Sequence, residues 1–174
     1  MPPLSTPAPR FRLCAIAAIA AAALPATPAL ACIVGTNSIT ATRDLAFGAI
    51  LSGPSGTVTV APTQSGAQAS GAVTLEFGQF AQATSAEFTV CSVTDVTASF
   101  TLPSSTSMIG PGNSAMSVTG FTANPTATGS PPSGSIAVTA LGQATLRVGA
   151  TLNVGADQPA GNYAGTFAVT VNYP

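Results

Sequence analysis

The chain has 174 residues but only four Lys+Arg and five Asp+Glu, and it contains no His and no Trp. With no His or Lys, a nucleophile has no conventional base beside it and a zinc ion lacks its usual ligands. So few cations also cannot track a phosphate backbone, which excludes a nucleic-acid partner.

Taken in chain order, residues 1–31 read as a cleaved secretory signal peptide. Arg10 and Arg12 form the basic n-region, Leu13 to Leu24 is an unbroken apolar run, and Ala29-Leu30-Ala31 is a small-x-small cleavage motif. The run is shorter than the roughly 20 residues a membrane helix needs. No later segment has that length or continuous apolarity, so no transmembrane segment is expected in the mature chain. Cleavage between Ala31 and Cys32 leaves one domain over 32–174. Its side-chain charge is two arginines (Arg43, Arg147) against five carboxylates, or −3.

Export leaves two mature cysteines, Cys32 and Cys91, because Cys14 lies in the leader. An even count in an oxidising compartment predicts a disulfide between them, worth about 4 kcal/mol in the chain-entropy model. The alternative is a lipoprotein anchored at Cys32. Against it, Ala29 stands where a lipobox usually has Leu, and lipidation would leave Cys91 as an exported thiol.

The mature chain alternates in short runs. Ser38–Thr42 and Asp44–Ile50 are extended, with Leu45 and Phe47 on one face. Gly53-Pro54-Ser55-Gly56 is a turn, followed by the alternating Thr57–Val60. Pro62–Gly71 reads as a loop. Val73, Leu75 and Phe77 mark one strand, and Ala86, Phe88 and Val90 the next. Val96, Ala98, Phe100 and Leu102 mark another, ended by Pro103. Ser104–Ser114 reads as a loop, Met116 and Val118 as a short strand, and Asn124–Gly134 as a second Ser/Gly/Pro loop. Ile136 and Val138, then Ala144, Leu146 and Val148, then Leu152 and Val154 follow.

After the turn at Asp157–Gly161 comes the longest alternation. Tyr163, Gly165, Phe167, Val169, Val171 and Tyr173 fall on one face and small or polar residues on the other, as in a half-buried antiparallel strand. About nine short strands with no helix predict an all-β antiparallel sandwich of immunoglobulin-like type.

No motif for chemistry stands out. Glu76 and Glu87 sit mid-strand among core-facing residues, which places them on a solvated face and not in a glycosidase pair. Asn153 and Asp157 fit turn chemistry better than a calcium loop. The expectation is no catalytic residue, no metal site and no cofactor. The scarcity of charge bears on the sheet edges instead. Soluble sandwiches usually guard their edges with Lys or other charge, and this chain has no Lys. Its edges are therefore either covered internally or meant to pair with another chain.

Several segments carry a family likeness. Asp44-Leu-Ala-Phe-Gly48, Gly56-Thr-Val-Thr-Val60, Phe88-Thr-Val90, Phe100-Thr-Leu-Pro-Ser104, Val118-Thr-Gly-Phe-Thr122, Val148-Gly-Ala-Thr-Leu152 and the stretch from Pro159 to Tyr173 resemble the bacterial family called domain of unknown function 4402. The ending is also similar to the last strand of spore-coat-U-type and chaperone–usher pilin subunits. In those families a neighbour's N-terminal extension completes an immunoglobulin-like domain, and a periplasmic chaperone holds the subunit beforehand.

The resemblance implies an exported protein of a Gram-negative bacterium, in the periplasm, at the surface or outside the cell. It implies a non-enzymatic fimbrial subunit with homo-oligomeric or pilus partners and a periplasmic chaperone. Tyr163, Phe167, Val169, Val171 and Tyr173 would form the assembly strand and Ile33–Thr42 the donated segment. The alternative is a monomeric secreted β-sandwich that binds a ligand.

Overall fold

The computed structural model describes residues 36–51, 53–63, 66–76 and 82–174, together with the backbone of Cys14–Ala15. Cys32, the Ala31–Cys32 cleavage site, Phe77 and most of the leader lie outside the described residues.

The regular secondary structure of the described residues is almost entirely antiparallel strand. β1 is Cys14–Ala15, β2 Ser38–Arg43, β3 Ala49–Leu51, β4 Gly56–Val60, β5 Ala67–Gly71, β6 Thr74–Leu75 and β7 Ala86–Cys91. β8 is Val96–Thr101, β9 Ser105–Ile109, β10 Ala115–Asn124, β11 Ser133–Val138, β12 Gln143–Val154 and β13 Thr170–Asn172. The one helical element among the described residues is a 3-10 turn at Pro111–Asn113.

A seven-stranded sheet runs in the order β2-β7-β12-β10-β9. Its spine is β12. One edge of β12 pairs with β10 over Arg147–Asn153. The other edge is shared, with β7 against Gln143–Val148 and β4 against Ala150–Val154, and β5 continues outward from β4. Gly149 lies between the two partners, where a Cβ would collide with the Val60 carbonyl. Glycine therefore allows one unbroken strand to serve two neighbours. Two smaller sheets, β11-β8-β13 and β1-β3-β6, are the others among the described residues.

Inward-facing residues of all three sheets form one apolar cluster. It includes Ile50, Val58, Phe88, Phe100, Val118, Ile136, Leu146, Leu152, Tyr163 and Phe167. This is the expected sandwich, with alternate positions turned into a common interior.

Several boundaries differ from the sequence reading. The expected loops 62–71 and 104–114 contain β5 and β9. In both strands the apolar alternation is missing: β5 is largely exposed, and only Met108 of β9 is buried. The short strand expected at Met116–Val118 extends through ten residues, bending at a bulge where Gly120 takes φ +59°. The runs around Leu146 and Leu152 are one strand of 12 residues.

Cys91 sits at the margin of the large sheet. Its parity within β7 turns it away from Phe88 and Val90, yet it is only 4% exposed. It lies between Ser38 of β2 and Gln143 of β12. Beyond it, the Asn37 carboxamide oxygen accepts hydrogen bonds from Ser92 Oγ at 3.2 Å and Val93 N at 3.1 Å, closing that end of the strand.

Candidate functional site

The residues expected to form an assembly strand run along both smaller and larger sheets. Burial follows the predicted alternation throughout: Tyr163 and Phe167 are buried, Val169, Val171 and Tyr173 are half-buried, and the intervening residues are exposed. The backbone does not form the single continuous strand expected. Ala164 exchanges hydrogen bonds with Ile109 at the end of β9, at 2.8 and 3.0 Å. Thr106 Oγ1 then donates to Thr166 O at 2.8 Å. Only Thr170–Asn172 forms a regular ladder, against Ser99–Thr101 of β8.

The reason lies in the partner. β8 and β9 belong to different sheets and meet at Leu102-Pro103-Ser104. Pro103 has no N–H to give a ladder, and Leu102 turns its own N–H to Pro132 O at 2.8 Å. The terminal segment follows this corner, crossing from the edge of one sheet to the edge of the other.

Three side chains hold it there. Phe167 packs edge-on against Phe88, with ring centroids 6.0 Å apart, and lies 5.3 Å from Phe121. Tyr163 is fully buried, in space left by Gly110, where a Cβ would collide with its ring. The Tyr163 hydroxyl lies 2.9 Å from Pro159 O, 3.1 Å from Gln158 Oε1 and 2.8 Å from Ser114 Oγ. Tyr173 Oη donates to Ser38 O at 2.9 Å, joining the end of the segment to the start of β2. Burial raises the Tyr173 phenol above its ordinary pKa.

The other edge of interest is β3. One of its sides pairs with β6 through Ile50↔Leu75 and Leu51↔Thr74. The opposite side pairs with β1 through Cys14↔Ile50 and Ala15↔Ala49. Ala49 and Ile50 are both buried, so this edge borders the core. β1 lies within the expected leader. The β3 edge is therefore met by a strand from outside 32–174. Sequence reasoning missed it, because an edge is a property of neighbours and β3 itself is a three-residue apolar stretch.

Of the candidate donor segment Ile33–Thr42, the residues Ser38–Thr42 are built into β2 and paired with β7. Cys91 is not a free thiol, and Cys32 lies outside the described residues. Among the described residues no three His, Cys, Asp or Glu side chains gather as metal ligands would. Glu76 is exposed, Asp157 occupies a turn at φ +55°, and Asn153 bonds Ser117 O and Thr119 Oγ1. No helix among the described residues is long and apolar enough to cross a membrane.

Residues 38–173 match the family described as domain of unknown function (DUF4402). The chain is a member of the DUF4402 family. The matched DUF4402 region begins and ends at Ser38 and Tyr173, the two residues that the phenol hydrogen bond joins. Neither the curated proteins nor the solved structures searched give a significant match.

Proposed function

We propose that this DUF4402 protein is an exported, non-enzymatic surface-structure subunit that assembles by strand addition, with the outer edge of β3 as acceptor. The observation that carries this reading is the pairing of Cys14–Ala15 with Ala49–Ile50. If residues 1–31 are a signal peptide, export removes that partner strand. A core-bordering edge then stands open, and main-chain pairing with a donated strand would fill it.

Two further features support the reading. The exposed β5 edge carries no charged residue among Ala67–Gly71. The buried hydroxyl of Tyr163 bonds back to the backbone four residues upstream, the kind of contact a tyrosine corner makes in immunoglobulin-like sandwiches. A Cys32–Cys91 disulfide belongs to the same proposal. Five residues separate Cys32 from Ser38, the cross-strand neighbour of Cys91. The pilin-like chaperone and pilus partners are proposed on the same footing.

The monomeric sandwich is the competing reading. The terminal segment favours it, since it already covers an edge of two sheets.

Size-exclusion chromatography and unheated gels on the protein purified from the periplasm distinguish the two. Assembly predicts concentration-dependent higher-order species that disappear when residues 33–37 are deleted, while a folded β-rich monomer remains. A protein that stays monomeric at high concentration, with residues 33–37 protected from proteolysis, would overturn the proposal. Intact mass before and after reduction tests the disulfide, with a two-hydrogen difference expected; a diacylglycerol increment on Cys32 would replace it with the lipoprotein.

A further inference from the structure

The outer face of the seven-stranded sheet is dominated by Thr, Ser and Asn. It is interrupted by one charged cluster, where both arginines of 32–174 meet a single carboxylate. Arg147 Nε lies 3.1 Å from Glu87 Oε2, and Arg43 Nη2 lies 3.2 Å from the same oxygen. Arg147 is the direct cross-strand partner of Glu87 on β12. Arg43 reaches the same face only because of a bulge in β2. Register shifts between Ala41 and Arg43, so Arg43 opposes Glu87 where Thr42 otherwise would.

Arg43 is further fixed by the buried Ser85, whose carbonyl accepts from Nε at 2.8 Å and whose hydroxyl lies 3.1 Å from Nη2. Arg147 spends only Nε on Glu87. Its terminal nitrogens have no hydrogen-bond partner among the described residues. One carboxylate is thus shared by two guanidinium groups, leaving a local charge of +1 on a domain of net −3.

The cluster borders a cavity of about 330 Å3, in the notch where β4 ends and β7 begins along the shared edge of β12. Besides the two arginines it is lined by Thr63, Gln82, Thr84 and Ser85, with Pro62 and Ala83. A fork of free guanidinium donors matches a carboxylate in a bidentate pair. Hydroxyl and carboxamide groups around it suit a ligand that presents hydroxyls of its own. The volume is at the small end for small-molecule pockets, which fits one sugar residue and not a folded partner. We propose that this notch binds the carboxylate of an acidic sugar residue, a hexuronate, with Arg147 as the principal anchor and Glu87 as a built-in competitor for the same donors.

The competitor gives the test its sign. Glucuronate titrated into the folded protein, followed by amide chemical shifts, should saturate and should shift residues around Arg147, Ser85 and Thr63. Glucose, which lacks the carboxylate, should not. Arg147→Gln should weaken glucuronate about tenfold or more, the loss expected for a charge-assisted pair. Glu87→Gln should strengthen it several-fold, because both guanidinium groups are released. A purely structural triad predicts no gain for Glu87→Gln. Should Arg147→Gln fail to fold, the Glu87→Gln titration alone decides. The proposal is overturned by an absence of saturable glucuronate binding up to about 10 mM. It is equally overturned by glucose or inorganic phosphate binding as well as glucuronate, or by unchanged affinity in a folded Glu87→Gln variant.

Discussion

Two stretches of this chain alternate with the same regularity and behave differently. In β12 the residues Leu146, Val148, Ala150, Leu152 and Val154 are buried, and the backbone is paired on both edges. In residues 163–173 burial alternates just as cleanly, but the backbone makes an isolated bridge, one side-chain bond and a three-residue ladder. Period two thus reports which side chains face the interior. It does not report where the amide groups go. That is set by the neighbour, and the neighbour of 163–173 turns a corner at Pro103.

If side chains, more than ladder bonds, hold the terminal segment, truncating its core anchor should be the most damaging change. Phe167→Ala should cost about 3–5 kcal/mol in urea melts, as expected for emptying a buried Phe site. Thr166→Ala, on the exposed face, should stay within about 0.5 kcal/mol. Similar losses for both variants would mean that the segment is buried on two faces. Next comes Tyr163→Phe, which strips the hydroxyl from a cluster of three oxygen neighbours and should cost about 1–3 kcal/mol.

For the spine the comparison predicts sensitivity of the backbone itself. Gly149→Ala places a methyl against the Val60 carbonyl and should cost about 1–3 kcal/mol, with β4 losing its pairing first. The smallest effect concerns the Tyr173 clasp. Its folded pKa is raised, so the folded state holds the proton longer than the unfolded chain. The stabilisation is therefore complete below the ordinary tyrosine pKa and declines as pH rises through the folded value. Thermal melts across alkaline pH should show that decline shrink in Tyr173→Phe.

The faces of the strands were legible in the sequence because core residues recur at alternate positions: Val58 and Val60, Phe88 and Val90, Ala98 and Phe100. β5 and β9 were not, because edge strands with exposed faces carry small polar residues that read as loop. The fusion of two runs into β12 was hidden by Gly149, which looks like a strand end until the close approach of Val60 explains it. Arg43, Glu87 and Arg147 were each visible, but their convergence depends on a bulge and two registers. Their rarity was the one available signal: an otherwise nearly uncharged domain keeps two arginines.

The shared edge of β12 also has a kinetic meaning. Thr59 and Thr151, whose hydroxyls lie 2.9 Å apart across the β4–β12 pair, are 92 residues apart in the chain. Such a contact closes a long loop before any local ladder rewards it, so the central sheet should form slowly and as one event. The amides of Leu146–Leu152 should then exchange with deuterium only when the whole domain opens. Those of 165–169, outside any regular ladder, should exchange much earlier through local fraying.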